Sequence, residues 1–259
     1  MKKLAMPNVR KMIVPDSGFI LVDADLKGAD ARVVAWEADD EPLKAAFRKD
    51  VDIHAFNAET LWPTGHALRD YKLKTPEGHY VFPELDPKRH KAKTAIHAVD
   101  YGCKERTLAS HLNCTTGEAA IFITHWFNHH PGILAWQQLV ARRLYQSQSI
   151  TNVWGYRHPY FDRAESLLPK ALAWIGQSTT AIAINKLIVN LVKCVPEVEV
   201  LLQTHDSVTF QVKQDRFSEL WPAIKAACTV TAPYKDPLVM PVEFAVSDKS
   251  WGDVKEIKE

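Results

Sequence analysis

Two acids and a line of cations are where this sequence could do chemistry. Asp25 follows residues 19–24 (FILVDA), and Asp206 interrupts residues 201–210 (LLQTHDSVTF). Both runs are apolar and β-branched enough to read as buried strands. If those strands share a sheet, the two carboxylates can meet at its end. Such a pair repels itself unless it is protonated or bridged by cations. Magnesium is the usual bridge where phosphates are present, because it takes hard oxygen ligands and keeps several waters. Two ions held this way clamp the attacking and leaving oxygens of a phosphoryl transfer. The second feature is RHKAKTAIHAVDYG, where Arg89, Lys93, His97 and Tyr101 recur every four residues. On a helix they share nearly one face, drifting about 40° per step and covering about 18 Å. Cations at one end and rings at the other suit a polyphosphate beside a sugar or base. Plainer readings stand beside these on residue type alone. Aspartate is common in β-turns because it bonds its own backbone, and a basic helix face can be simple solvated surface.

Several elements must position these groups. The first strand is entered through Asp16-Ser17-Gly18. A helical pattern follows Gly28, with Ala31, Val34, Ala35, Leu43 and Phe47 on its apolar face and Pro42 as the break. DVDIHAFNAETLW predicts a further short helix. Residues 63–87 hold five of the chain's prolines and glycines before Pro87 and read as a surface insertion with a small hairpin at GHYVF. Helices are predicted over 88–112, broken near Tyr101-Gly102, over 116–129, from 133 to 148 and from 168 to 194. Strands at 199–204 and 207–213 flank His205-Asp206. A helix at about 215–227 and a strand at about 240–246 follow. The order predicts an α+β fold with a small antiparallel sheet drawn from distant segments.

Composition sets limits. The chain of 259 residues can bury one substantial core, or two modest subdomains sharing one. Hydrophobic residues at 46% and charged residues at 24% argue against disorder. A net charge of +1 does not announce a nucleic-acid partner, although a local patch is enough for one. Cys103, Cys114, Cys194 and Cys228 form no CxxC and read as reduced intracellular thiols. The start, MKKLAMPNVRK, lacks the apolar run of a signal peptide. No stretch approaches the apolar length of a membrane span, so no membrane partner is expected.

Three segments in order resemble the bacterial DNA polymerase I family, the family A DNA polymerases. VDADLKGADARVVAWEADDEPLKAAFRKDVDIH is similar to the family's first palm motif, Asp-Tyr-Ser-Gln-Ile-Glu-Leu-Arg followed later by Asp-Ile-His. RHKAKTAIHAVDYG resembles the finger-helix motif Arg-x3-Lys-x3-aromatic-x3-Tyr-Gly. LLQTHDSVTF resembles the Gln-Val-His-Asp-Glu hairpin. WFNHHPG, NVWGYRHPY and QSTTAIAINK resemble further family segments, so the resemblance runs from about Val9 to the C-terminus. It implies template-directed DNA synthesis, in which a primer 3′-OH attacks a deoxynucleoside triphosphate with two Mg²⁺ ions, or Mn²⁺ as a substitute. Asp25, set in register by Arg32, matches the first catalytic acid, and Asp206 the second. The carbonyl of Leu26 is a further implied metal ligand. Arg89 and the catalytic Lys93 fall on the triphosphate contacts, His97 on the ring that stacks on the nucleotide, and Tyr101 near the template base. Asp30 and His54 fall on nucleotide-side positions. Arg32, Arg157, Gln177 and His205 fall with the DNA contacts, so the implied partners are primer-template DNA and deoxynucleoside triphosphates.

This chain departs from the family pattern at four of these places. Asp30 replaces a glutamate that blocks the ribose 2′-OH, His97 an aromatic ring, Ser207 a glutamate and Leu26 a tyrosine. The resemblance divides the chain into palm (1–60 and 136–259) and fingers (61–135, with the insertion at about 63–87). Asp25 stands so near the start that no thumb or exonuclease domain is expected within this sequence. The expectation is a split polymerase, viral or plasmid-borne, in the cytoplasm (the host's, if viral), whose thumb and exonuclease come from a separate polypeptide. The rivals are a DNA-binding scaffold subunit that keeps the fold without extending primers, and a magnesium-dependent nuclease.

Overall fold

The apolar run after Gly18 forms the central strand of a small sheet. In the computed structural model, residues 8–163 and 166–257 are described. Along the chain the elements are β1 (Phe19–Leu26), α1 (Ala29–Glu37), α2 (Glu41–Arg48), α3 (Ile53–Leu61), α4 (Leu85–Asp100), α5 (Glu105–Leu112), α6 (Thr116–His129) and α7 (Pro131–Ser147). They continue with β2 (Ser149–Thr151), β3 (Arg157–Pro159), α8 (Leu168–Cys194), β4 (Glu199–Thr204), β5 (Ser207–Lys213) and α9 (Phe217–Cys228). Last come β6 (Val230–Ala232), β7 (Leu238–Met240), β8 (Val242–Ser247) and β9 (Lys255–Glu256). Chain contacts group into two units, Met1–Ala29 with Ser178–Glu259, and Asp30–Gln177. Among the described residues no helix is long and apolar enough to cross a membrane.

The first unit holds an antiparallel five-stranded sheet in the order β4-β5-β1-β8-β9. Strand β1 lies inside it, bonded to β5 on one side and β8 on the other. Leu21, Val22 and Ala24 are fully buried there, which is why β1 reads as nearly continuous apolar sequence. The fold is therefore α+β, and its sheet joins segments almost two hundred residues apart. The strand expected over 240–246 is two strands. Pro241 cannot donate to a ladder, so Met240 ends β7 and Val242 starts β8.

The second unit, Asp30–Gln177, is mostly helical. The helical pattern after Gly28 falls into two pieces as expected, α1 and α2, with Pro42 in the first turn of the second. Asp40 caps α2 by accepting from the Leu43 N–H at 3.0 Å, and Pro42 sits in the first turn, where its missing donor costs nothing. Helix α4 starts earlier than expected, at Leu85, with Pro87 in its first turn. The segment between α3 and α4 is mostly exposed, as expected of a surface insertion, but it is docked at one point. It contains the expected small bridge, Lys74 to Tyr80, but its 3₁₀ turn Leu68–Lys72 buries Tyr71 completely. Segment NVWGYRHPY adds a hairpin that periodicity did not show, β2 with β3.

A buried polar network ties this unit together. Asp100, at the end of α4, accepts from the Trp126 indole of α6 at 2.9 Å. Gln137 of α7 donates to the carbonyls of Val99 and Asp100 at 2.8 and 3.0 Å. His130 pairs with Asp40 at 3.0 Å, both nearly sealed from solvent. Burial pushes the Asp100 carboxyl up to about 8, against the indole bond and with a smaller push from Asp40. Its ordinary value is 3.8, so the folded state holds a proton that the unfolded chain releases earlier. Stability from this group is full below about pH 4 and falls as pH rises to about 8. In Asp100→Asn the acceptor for Trp126 stays and the titration goes. Thermal melts of both proteins should show the variant gaining on wild type between about pH 5 and pH 8, with a level difference above that.

Candidate active site

In the first unit, strand geometry delivers the acids. Residues two apart on a strand share a face, so Asp23 and Asp25 point the same way from β1. Asp25 stands opposite Ser207 of β5 and Glu243 of β8. The turn His205-Asp206 is the tightest hairpin connection, closed by the pair Thr204 and Ser207, whose hydroxyls lie 2.6 Å apart. The Leu26 N–H donates to the Asp206 carbonyl at 2.9 Å. That bond lays the hairpin turn against the end of β1 and brings Asp206 beside Asp25.

The two β1 acids differ in their partners. Asp23 Oδ1 accepts from the Thr209 hydroxyl at 2.6 Å and the Trp251 indole at 3.1 Å. Asp25 has no such donor among the described residues. Burial, then the charges of Asp206, Asp23 and Glu243, push its carboxyl up to about 7, with Arg10 opposing. A divalent ion would relieve this repulsion, and an oxygen-only donor set is what magnesium prefers. Leu26 is almost fully buried, so only its backbone is suited to a ligand role. Among the described residues no group of three or more His, Cys, Asp or Glu is gathered to hold a metal. An ion at Asp25 and Asp206 would therefore need backbone, water or substrate oxygens to complete its shell. His205 is exposed at the tip of the turn.

In the second unit, Asp52 organises the cations. It caps α3 by accepting from the Ala55 N–H at 2.9 Å. The Arg89 fork of α4 grips the same carboxylate, Nε at 3.1 Å from each oxygen and Nη2 at 2.9 Å from Oδ2. Lys72 Nζ lies 2.7 Å from Oδ2. Burial alone would raise the Asp52 carboxyl, but these bonds hold it well below the usual carboxylate range. His54, two residues on, is pushed down to about 4 by burial and then by Arg89, Lys93 and Lys72, with Asp52 opposing.

The other expected residues of this unit are more scattered. Lys93 and His97 are exposed on α4, and the His97 ring meets Tyr101 edge-on at 4.7 Å. The Tyr101 hydroxyl is buried without a partner among the described residues, against Gly176, where a Cβ would collide with it. Burial and the nearby Asp30 and Asp100 push that phenol far above its usual range. Asp30 Oδ1 is also buried without a partner among the described residues. Arg32 is 6% exposed and lies over the Phe47 ring at 4.5 Å, a packing position within this unit. Arg157 is exposed on β3 and donates to the Ser149 hydroxyl at 2.9 Å. Gln177 lines an open hollow of about 630 Å³ with His158, Phe161 and Trp174.

The description of DNA polymerase family A matches residues 1–253. This chain is a member of DNA polymerase family A. It is 27% identical to the thermostable DNA polymerase I of Thermus filiformis over 96% of this chain and 29% of that protein. To DNA polymerase I of Bacillus caldotenax it is 25% identical over 95% of this chain and 28% of the relative. A shorter stretch, 48% of this chain, is 32% identical to 13% of DNA polymerase I from Caldicellulosiruptor bescii. The chain thus spans less than a third of these family A relatives. Its fold is similar to the solved POL domain of Pol1 from M. smegmatis in complex with DNA primer-template and dNTP. The TM-score there is 0.77 at 22% identity, over 94% of this chain and 42% of that one.

Sequence reasoning passed over Asp52 and Lys72. Asp52 carried a signal, a capping aspartate directly before a helical run. Lys72 carried none, because irregular sequence does not reveal which way a 3₁₀ turn points. The depressed His54 gives a test with a definite sign. The unfolded chain protonates near 6.5 and the folded chain near 4, so stability is lost as pH falls between those values. His54→Gln should lose less stability than wild type over that window in chemical denaturation, and equal losses would remove His54 as the cause.

Proposed function

We propose that this chain is the nucleotide-adding core of a family A DNA polymerase. The reaction is attack by a primer 3′-OH on the α-phosphorus of a deoxynucleoside triphosphate, with pyrophosphate leaving. The observation that carries it is the backbone bond from Leu26 to Asp206, which sets two carboxylates together at one sheet end. Asp25, Asp206 and the Leu26 carbonyl are the residues that would hold two magnesium ions, with manganese as a substitute. When bound, such ions favour the 3′-alkoxide and neutralise triphosphate charge.

The remaining roles belong to the chain's own side chains. Arg89 and Lys93 bind the polyphosphate, Arg89 as a charge held in place by Asp52 and lysine as a mobile charge near the leaving pyrophosphate. His54 stays neutral at physiological pH and offers a hydrogen bond to the same phosphates. His97 and Tyr101 offer rings to the base, and Asp30 sits on the sugar side. Arg157, Gln177 and His205 serve the DNA side, where contacts to phosphate position a duplex without reading it, whereas buried Arg32 acts by packing on Phe47. The palm would comprise 1–60 and 136–259, and the fingers 61–135. Thumb and exonuclease functions would come from a separate polypeptide, and the setting would be cytoplasmic.

Primer extension by the purified chain with magnesium tests the proposal. Wild type should extend, and Asp25→Asn and Asp206→Asn should each lose at least about a hundredfold in rate, as when a stabiliser of transition-state charge is removed. Extension that survives either substitution would overturn the two-carboxylate reading. The shorter Asp30 predicts a second outcome. Wild type should incorporate ribonucleotides more readily than Asp30→Glu, measured as the ratio of kcat/KM for the two sugars. Equal ratios would remove Asp30 from sugar selection.

A further inference from the structure

The segment between α3 and α4 carries an additional cation to the Arg89 cluster, and it is built to do so. Glu59 of α3 accepts from the Thr64 N–H at 2.9 Å, from the Thr64 hydroxyl, and from the Tyr71 hydroxyl at 2.9 Å. Tyr71 is wholly buried, so the 3₁₀ turn is fixed at the residue directly before Lys72. Lys72 then reaches Asp52 Oδ2, the oxygen that also takes Arg89 Nη2. Two cations thus share one carboxylate, and Lys93 adds a third charge nearby that acts on His54. With three cations against the single Asp52 carboxylate, this cluster of residues is left net positive.

The Lys72 side chain is 62% exposed. An ion pair that open to water contributes little to stability, so exchanging Asp52 for a stronger anion costs little. Arg89 is different. Its side chain is 22% exposed and its fork is satisfied by Asp52, which holds it in place. A triphosphate brings about three to four negative charges, more than Arg89 and Lys93 alone can match.

We propose that Lys72 is a further polyphosphate contact of the nucleotide site, shared between Asp52 and the terminal phosphates of an incoming deoxynucleoside triphosphate. This rests on the nucleotide-binding reading of Arg89 and Lys93. Lys72 acts by charge and reach. The anchor formed by Glu59 and Tyr71 acts by position, and the two can be separated.

Equilibrium binding to the full chain, by titration calorimetry with inorganic tripolyphosphate and with a deoxynucleoside triphosphate, tests this. Wild type should bind both probes. Lys72→Ala should weaken both by about tenfold, the loss expected for one charge-assisted hydrogen bond. Lys72→Arg should restore most of the affinity. Tyr71→Phe, which loosens the anchor and keeps the charge, should lower the melting temperature and leave affinity within about twofold. Unchanged binding by Lys72→Ala overturns the inference and leaves the nucleotide site standing. An equal loss in Lys72→Arg and Tyr71→Phe also overturns it, because docking rather than charge would then set affinity. Wild type that binds neither probe overturns the inference together with the nucleotide-binding reading beneath it.

Discussion

Like charges do not gather of their own accord, and the acid end of this sheet exists because backbone bonds force it. Asp25 and Asp206 repel, and Asp23 and Glu243 add to the strain. Among the described residues no side chain donates a hydrogen bond to Asp25, and the Arg10 charge offsets only part of the repulsion. What opposes the repulsion is the ladder of β5, β1 and β8, whose registers run the length of β1. Beneath it lie fully buried Leu21, Val22, Val208 and Phe210. Apolar burial and ladder bonds are distributed over the whole sheet, while the electrostatic cost falls on one end. Electrostatic repulsion between acids is held in the fold in this way.

The second unit solves the opposite problem with the opposite charge. Arg89, Lys72 and Lys93 crowd His54, and one carboxylate, Asp52, restrains two of them. Asp52 also caps α3, so the same side chain that fixes a helix start fixes the arginine. Local structure and site chemistry share an atom set here. The cost of losing Asp52 would fall on both.

Strands and helices with strong periodicity were legible. The hairpin strands on either side of His205-Asp206 and helix α8 lie where the pattern placed them, because a two-residue turn and a long apolar run leave few alternatives. Pro42 was legible as the division between two helices, but Pro87 was misread, since a missing donor marks either a break or a first turn and the flanking sequence decides which. The region from 63 to 87 was legible as irregular but not as docked. Its anchor depends on Glu59 meeting Tyr71, a contact with no periodic trace. Candidate acids were found by type and by family pattern. What distinguishes Asp25 from Asp23 in space is the Thr209 and Trp251 donors, which come from chain positions far downstream.

The place of β1 in the sheet has a consequence for how the protein is made. Its apolar sequence is made well before its partners, since β5 and β8 begin only at residues 207 and 242. At ordinary rates of synthesis that is a wait on the order of ten to forty seconds. Throughout it, β1 is a strand without neighbours, the kind of segment that pairs with the wrong chain. The helical residues 30–177 are complete much sooner and rest mainly on nearby contacts, which form fast. Nascent chains should therefore carry a folded helical part and an unpaired first strand, and yield in the cell would be set by how well that strand is shielded while it waits.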